Sequence, residues 1–508
     1  MKNFQAKALS FCLICILMVA LLPIPVGAEA IDNEKPPPEI TATAALLVEM
    51  TDDTVLYDKA ANETRYPASI TKIMTALLAI EAVEASENSS DEGGEPGTGK
   101  LTLDQMITAS AASVADMTDD SSTQNIQPGE VMSVNDLLHC LLISSANEAA
   151  NILGEAVSGS VEAFVERMNQ RATELGMTGT HFANPHGLHR DNHYSTAYDI
   201  YLMTKEAMKH PLFREIVSTI SYEVPATNMS EARHLFTTNA LLSSRKYAGY
   251  TYSYCIGVKT GSTPEAGYCL VAAAENGDRS LISVVLGAEN VTQSNRSVAR
   301  KQFSESRDLL NWGMTAFRRY TVLNSTTYKK EIPVKVSSGL PYVVVQPSRS
   351  VQATLPSSFN IDQLQTSVNL KREQISAPVK KGEVLGTITV SYNGTEFGSA
   401  DLVAVSDVNR SFFRWIMDKI VTFFTSLPVR IALIAALILL LIHLIQNGSL
   451  RGKRNKNRRP PSSPPPSRRP RPASSKQKRR TPPKSAPPHE NTRPKQSNPP
   501  GRGAPRHR

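Results

Sequence analysis

Apolar positions along this chain change their period several times, and each change marks an element. Lys2 and Lys7 precede an apolar stretch from Leu9 to Leu22 and small residues at Val26-Gly27-Ala28, the pattern of a secretory signal cut after Ala28. Residues 41–58 read as two strands around a Thr51-Asp52-Asp53 turn. From Ser69 to Val83 the sequence is apolar on nearly every face, as in a buried helix. Pro67 suits its entry because the missing N–H would be unpaired there. That helix spans roughly 22 Å. Leu137, Leu138, Leu141, Leu142 and Ile143 form the stripe of a second helix capped by Ser133, and two more follow over 148–157 and 161–175. Residues 253–260, 267–274 and 281–287 read as strands, which puts Lys259 and Thr260 at a strand end.

Beyond a helix ending near Arg318 the pattern shortens to β-prone runs at 328–336, 342–345, 367–370, 384–392 and 396–405, a separate small domain. Phe412, Phe413, Trp415, Ile416, Ile420, Phe423 and Phe424 then predict an amphipathic, interfacial helix. Residues 429–445 are apolar except for Arg430 and His443, at the short end of a membrane span. Residues 86–100, rich in Ser, Gly, Glu and Asp, cannot bury a core and read as a solvated insertion. The expected organisation is a signal over 1–28, a main domain over 38–320 and a β-rich domain over 326–408. An amphipathic helix over 411–426, a transmembrane helix over 428–446 and a disordered tail over 450–508 complete it.

Charge changes this picture only at the end of the chain. The 508 residues carry a net +8, but from Arg451 onward 19 Lys and Arg face the single acid Glu490, so the rest of the chain is net −10. The tail is Pro-rich and lacks aromatics, and its charge places it on the cytoplasmic side of a membrane. Attraction to anionic lipid accounts for that charge better than specific nucleic-acid binding does. Cys12 and Cys15 leave with the signal. Cys140 lies in an apolar helical run, while Cys255 and Cys269 sit on neighbouring strands where either a disulfide or the commoner pair of free thiols fits.

Candidate chemistry lies at the start of the first helix. Ser69 and Lys72, three apart, share a face, so a hydroxyl nucleophile stands beside an amine able to take its proton if the amine's pKa is depressed. The free backbone N–H of Ser69 at the helix entry suits a developing oxyanion. The spacing is weak by itself, recurring at Ser243/Lys246 and Ser475/Lys478. Ser145-Ala146-Asn147 adds an S-x-N at a helix junction, a pattern found also at Ser133/Asn135 and Ser367/Asn369, whereas Lys259-Thr260-Gly261 is the chain's one K-T-G. His186 and His193, in loop-like stretches, match no zinc spacing and read as structural.

S-x-x-K, S-x-N and K-T-G in that order resemble the serine-type D-alanyl-D-alanine carboxypeptidases, the low-molecular-weight penicillin-binding proteins of peptidase family S11. The resemblance covers roughly 38–320 and extends to Thr180–Leu188, Asp191–Tyr194, Gly257–Gly261 and Glu265–Leu270. It implies an α+β fold: a β-lactamase/transpeptidase-like antiparallel sheet flanked by helices, then a β-rich domain that lifts it off the membrane. It implies Ser69 as the acylated nucleophile, Lys72 as its base and Ser145 as proton relay. Asn147, Lys259, Thr260, Gly261 and Ser262 bind substrate, with Lys259 and Thr260 facing the terminal carboxylate and the N–H groups of Ser69 and Ser262 forming the oxyanion hole. Three positions depart from the family's common pattern: Ala146 replaces a glycine, Ser262 a bulkier residue, and Gln302 an arginine, with Arg300 and Lys301 adjacent.

The expected function is removal of the terminal D-Ala from peptidoglycan stem pentapeptides through an acyl-enzyme inhibited by β-lactams, without metal or organic cofactor. The catalytic part is expected outside the cell membrane. A β-lactamase is the first rival, needing a deacylating base for which no glutamate stands out. A non-catalytic wall-binding scaffold is the second, separated by whether Ser69 acylates.

Overall fold

Strand β1 (Ala44–Glu49) is buried at all six positions because both faces of its sheet are covered. Ala44, Leu46 and Val48 join one apolar core, and Ala45 and Leu47 join another on the opposite face, the two-residue alternation of a strand. With β2 (Thr54–Lys59), β3 (Cys255–Thr263), β4 (Gly267–Asn276) and β5 (Arg279–Ala288) it makes an antiparallel sheet in the order β2-β1-β5-β4-β3, so β3 is an edge. This computed structural model describes residues 35–87, 100–115, 117, 121–294 and 296–452. The expected signal with its two cysteines, residues 88–99 of the insertion and the tail from 453 lie outside the described residues.

One core is closed by helices α1 (Lys72–Glu87), α2 (Val134–Leu142), α3 (Asn147–Ser158), α4 (Val161–Glu174), α5 (Ala197–Ala207) and α6 (Pro211–Ser218). Helix α7 (Lys301–Ala316) covers the other face. Ser133 does cap α2, accepting from Asp136 N. Helix α5 escaped the sequence reading although Thr196 caps it in the same way. The nucleophile candidate lies one step before the α-helix: Ala68–Thr71 is a 3-10 turn, and the helix runs from Lys72 to Glu87 rather than from 69 to 83. Strand β3 likewise continues to Thr263, so Lys259 and Thr260 lie within the strand, because the ladder to β4 pairs residues as far as Thr263 with Gly267.

Helix α7 ends at Ala316, and Arg318 already belongs to β6 (Phe317–Leu323). Arg279 fixes that end: it pairs with Glu49 at 2.5 Å and donates to Gly313 O and Phe317 O at the helix C-terminus, where a cation is favoured. The β-rich domain contains β7 (Lys330–Lys335), β8 (Tyr342–Pro347), β9 (Val351–Pro356), β10 (Gln365–Leu370), β11 (Val384–Tyr392) and β12 (Thr395–Ala404). Strand β9, which pairs with β6, was not read from sequence. Cys140, Cys255 and Cys269 are all free, since Cys255 pairs with Ala274 and Cys269 with Gly261, far apart along the ladder.

Helix α8 (Phe412–Thr425) exposes Phe412, Phe413, Phe423 and Phe424. A second unit of the chain begins at Val421. Its helix α9 (Leu427–Gly452) contains a 20-residue window, Leu427–Gln446, with mean hydropathy 2.5 and no burial, which coincides with the expected span over 428–446 to within one residue and is long enough to cross a bilayer.

Gly187 is the tightest point in the main domain. Its φ is +89°, and a Cβ there would stand 2.0 Å from the carbonyl oxygen of Ala68, the residue before Ser69. Gly187→Ala is therefore expected to cost at least about 3 kcal/mol, combining left-handed strain with a backbone clash. Gly277→Ala, at φ +64° with open space around it, carries the strain alone and should cost about 1 kcal/mol. Denaturant unfolding of residues 29–410 carrying each substitution measures the difference.

Candidate active site

Ser69 sits in a turn held from below by the loop over Ala183–Tyr194. His193 Nδ1 accepts from Ala183 N at 3.0 Å, so its proton is on Nε2 and points at Thr71 Oγ1, 2.7 Å away. Thr71 in turn donates to Ala68 O at 2.9 Å. This chain of bonds restrains Ala68, whose φ of +48° is unusual for a residue with a Cβ, directly before Ser69. Burial pulls the His193 imidazole down to about 3, which keeps it neutral and its tautomer fixed. His193 thus has the structural role expected of it.

Lys72 is fully buried, and its Nζ has three neighbours: Ser69 Oγ at 2.9 Å, Asn147 Oδ1 at 2.7 Å and His186 O at 2.7 Å. A neutral amine has two N–H donors and one lone pair. Two of these neighbours are pure acceptors and the third is a hydroxyl able to donate, so the site accommodates the neutral amine without losing a hydrogen bond. Burial holds Lys72 well below the ordinary lysine range, the positive charge of Lys259 lowers it further, and Glu148 opposes both. Lys259 is itself almost wholly buried, donates to Thr260 O at 3.0 Å, and is pulled down by burial to about 7.

Ser145 and Asn147 come from the junction between α2 and α3. Ser145 is in the left-handed region at φ +67°, and Ala146 is buried at φ −58°, a conformation any residue adopts, which explains why glycine is not needed there. Asn147 opens α3 and donates its N–H to Ser122 O. Its Oδ1 is taken by Lys72, so its Nδ2 donors remain for a ligand. Glu148, buried beside it, accepts from Thr123 Oγ1, Gln124 N and Ile126 N, and so ties the segment 122–126 to the cleft.

The edge strand closes the other side. A Cβ on Gly261 would stand 3.0 Å from Ser69 N and 3.1 Å from Ile70 N, so β3 approaches the nucleophile turn at a distance only glycine allows. Thr260 Oγ1 meets Thr238 Oγ1 at 2.6 Å. Between these walls lies a cleft of about 140 Å³ lined by Ser69, Ser145, Thr260, Gly261 and Ser262. Its open strand edge suits an extended peptide bound through backbone hydrogen bonds.

All eight residues singled out in the sequence therefore converge, six around the cleft or its nucleophile and the two lysines beneath it. The roles of His186 O, Thr71, Thr238 and Glu148 were not foreseen. The first is a backbone atom and leaves no mark in sequence, and the others are common residues whose partners are distant along the chain. Among the described residues one trio, Glu81, Glu206 and His210, brings possible metal ligands within 4.8 Å. Arg171 pairs with Glu81 at 2.6 Å and Lys209 with Glu206 at 2.5 Å, which already neutralises it.

A family model described as D-alanyl-D-alanine carboxypeptidase matches residues 31–290, and one described as penicillin-binding protein 5, C-terminal domain, matches 324–410. The chain is 31% identical over 414 residues to D-alanyl-D-alanine carboxypeptidase DacF of Bacillus subtilis (strain 168), covering 80% of this chain and 96% of that one. It is 30% identical over 389 residues to DacC of Escherichia coli (strain K12), covering 74% and 86%. Penicillin-binding protein 5 of Haemophilus influenzae superposes with a TM-score of 0.58 at 27% identity, covering 74% of this chain and all of that one. With the family model spanning half of its length and these relatives matched nearly end to end, this chain belongs to the D-alanyl-D-alanine carboxypeptidase family.

Proposed function

We propose that this chain is a serine D-alanyl-D-alanine carboxypeptidase in which Ser69 attacks the carbonyl of the penultimate D-Ala of a peptidoglycan stem pentapeptide. The placement of Lys72 Nζ between one hydroxyl and two acceptors carries this reading. Neutral Lys72 takes the Ser69 proton as the C–O bond forms, and the N–H groups of Ser69 and Ser262 hold the oxyanion. Ser145 passes the proton to the leaving nitrogen, the peptide C–N bond breaks, and D-Ala departs. Water then hydrolyses the acyl ester. Nδ2 of Asn147 holds the substrate amide, and β3 supplies backbone pairing. A β-lactam enters the same acylation, but its opened ring stays attached to the acyl-enzyme and blocks the water step. Among the described residues no acidic side chain lines the cleft, which favours a carboxypeptidase over a β-lactamase with a carboxylate base.

Ser69→Ala should abolish both D-Ala release and labelling by a fluorescent penicillin, while Ser243→Ala and Ser475→Ala should still label. Persistent labelling of Ser69→Ala would place the nucleophile elsewhere.

The pH dependence of acylation tests the pairing of the two lysines. Lys259, pulled to about 7, is charged on the acid side of neutrality, where its repulsion keeps Lys72 deprotonated. Lys259→Gln removes that charge, raises the Lys72 pKa and should move the acid limb of the acylation-rate profile to higher pH. A lower plateau with an unmoved limb would leave burial as the only cause.

The apolar helix α9 associates the chain with a membrane, and in our reading residues 29 to about 426 are outside and 447–508 inside, their positive charge retained on the cytoplasmic face by anionic lipid. Protease added to intact protoplasts should remove the catalytic domain and spare a tag fused after Arg508.

A further inference from the structure

A cavity of about 760 Å³ is walled by the 183–190 loop and by helices α3 and α4, and it shares no lining residue with the catalytic cleft. His186 is the partition between the two. Its carbonyl oxygen accepts from Lys72 Nζ at 2.7 Å, while its side chain lines the cavity. Its Nδ1 accepts from Leu188 N at 3.2 Å, which leaves an N–H donor on Nε2. Burial holds this imidazole well below the ordinary histidine range, so it stays neutral.

The same wall holds an acceptor that the fold leaves unused. Asn151, 2% exposed, donates its Nδ2 to Ser113 O at 3.0 Å, yet its Oδ1 has no hydrogen-bond partner. A buried carbonyl oxygen without a donor costs free energy that an incoming N–H recovers. Charge at the cavity is equally unspent. Glu162 and Glu166, four apart on α4, share a face of that helix, and neither forms an ion pair among the described residues. Arg190 adds a guanidinium to the lining.

These groups offer two carboxylates to an ammonium, a guanidinium to a carboxylate, and one donor and one acceptor to a peptide amide. The volume is in the range of small-ligand pockets and takes a peptide of a few residues. A stem peptide already trimmed by the enzyme has the matching chemistry: an amine on its diamino-acid residue, a free C-terminal carboxylate and an amide between them. We propose that this cavity is a second, non-catalytic site for a stem peptide that has lost its terminal D-Ala, and that it retains the enzyme on wall strands while Ser69 works on a neighbouring stem. This goes beyond the carboxypeptidase reading and rests on it for the identity of the ligand. Holding one stem raises the effective concentration of the others on the same polymer without any new contact in the cleft.

The test follows binding of the synthetic tetrapeptide L-Ala-γ-D-Glu-L-Lys-D-Ala by calorimetry, with full-length protein in detergent. The tetrapeptide should bind Ser69→Ala, and should bind wild type acylated by benzylpenicillin equally well, because only the cleft is blocked there. Glu162→Gln combined with Glu166→Gln should weaken it roughly 5- to 30-fold, the range of two ion pairs at an exposed wall. Acetylating the lysine amine should weaken binding as much in wild type and add little in the double variant. On a soluble pentapeptide the double variant should keep the wild-type kcat/KM, which also reports that it is folded, and on isolated polymeric peptidoglycan its kcat/KM should fall several-fold. Binding that disappears in the acylated protein would make the cavity an arm of the cleft. Binding that ignores both the substitutions and the acetylation, no binding at all, or an unchanged polymer-to-pentapeptide ratio would equally overturn the proposal. Wild-type protein that releases no D-Ala would instead refute the activity and leave the calorimetric result standing, so the two failures are distinct.

Discussion

Two buried amines, Lys72 and Lys259, are the constraint on which the site depends. Removing an ammonium from water costs several kcal/mol unless it is paired, and neither amine has a carboxylate bonded to it. The protein meets that cost by favouring the neutral form: burial lowers both amines, and the positive charge of Lys259 lowers Lys72 further. Lys72 Nζ, held well below the ordinary lysine range, lies 2.9 Å from the hydroxyl of Ser69. Glu148 is the counterweight, close enough to oppose the shift and engaged with the segment 122–126 through three hydrogen bonds.

Holding both amines dry requires three pieces of backbone to meet closely. The nucleophile turn, the 183–194 loop and the edge strand β3 approach one another at Gly187 and Gly261, where a methyl group would touch main-chain atoms. Backbone supplies several of the partners, with His186 O on Lys72 and Pro185 O on Thr75 one turn further along α1. Of the two left-handed residues at the site, Ala68 sits where these pieces join and is held by Thr71, and Ser145 lies at the junction of α2 and α3. Rigid elements behind them, the five-stranded sheet with helices on both faces, give the site its stiffness.

As a member of the D-alanyl-D-alanine carboxypeptidase family the chain also has the β-rich domain that goes with it, and a membrane-length helix. The main domain and the β-rich domain are joined without a loose linker: α7 passes directly into β6, and Thr354 donates to Asp52 in the β1–β2 turn at 2.8 Å. Movement of the main domain relative to the β-rich domain is thus restrained by hydrogen bonds as well as by chain continuity.

Local patterns in the sequence determined the elements that rest on local physics. The apolar run after Pro67, the Ser133 cap, the β1–β2 hairpin, strands β11 and β12 and the membrane-length segment all follow from period and capping, and the three motifs in order marked residues that the fold brings together around one cleft. Where neighbours in space decide, the sequence was silent or off by a few residues. It does not distinguish a 3-10 turn at Ser69 from the first turn of an α-helix, because that geometry is imposed by Gly187 and the His193–Thr71 chain. It does not tell that Lys259 is buried while Arg300 lines the cleft, since the first lies on an edge strand and the second is positioned by Tyr247 from another loop. It leaves Cys255 and Cys269 open to pairing until the β3–β4 register separates them. Motifs name residue types, whereas burial, which sets their charge and reach, exists only once distant segments have packed.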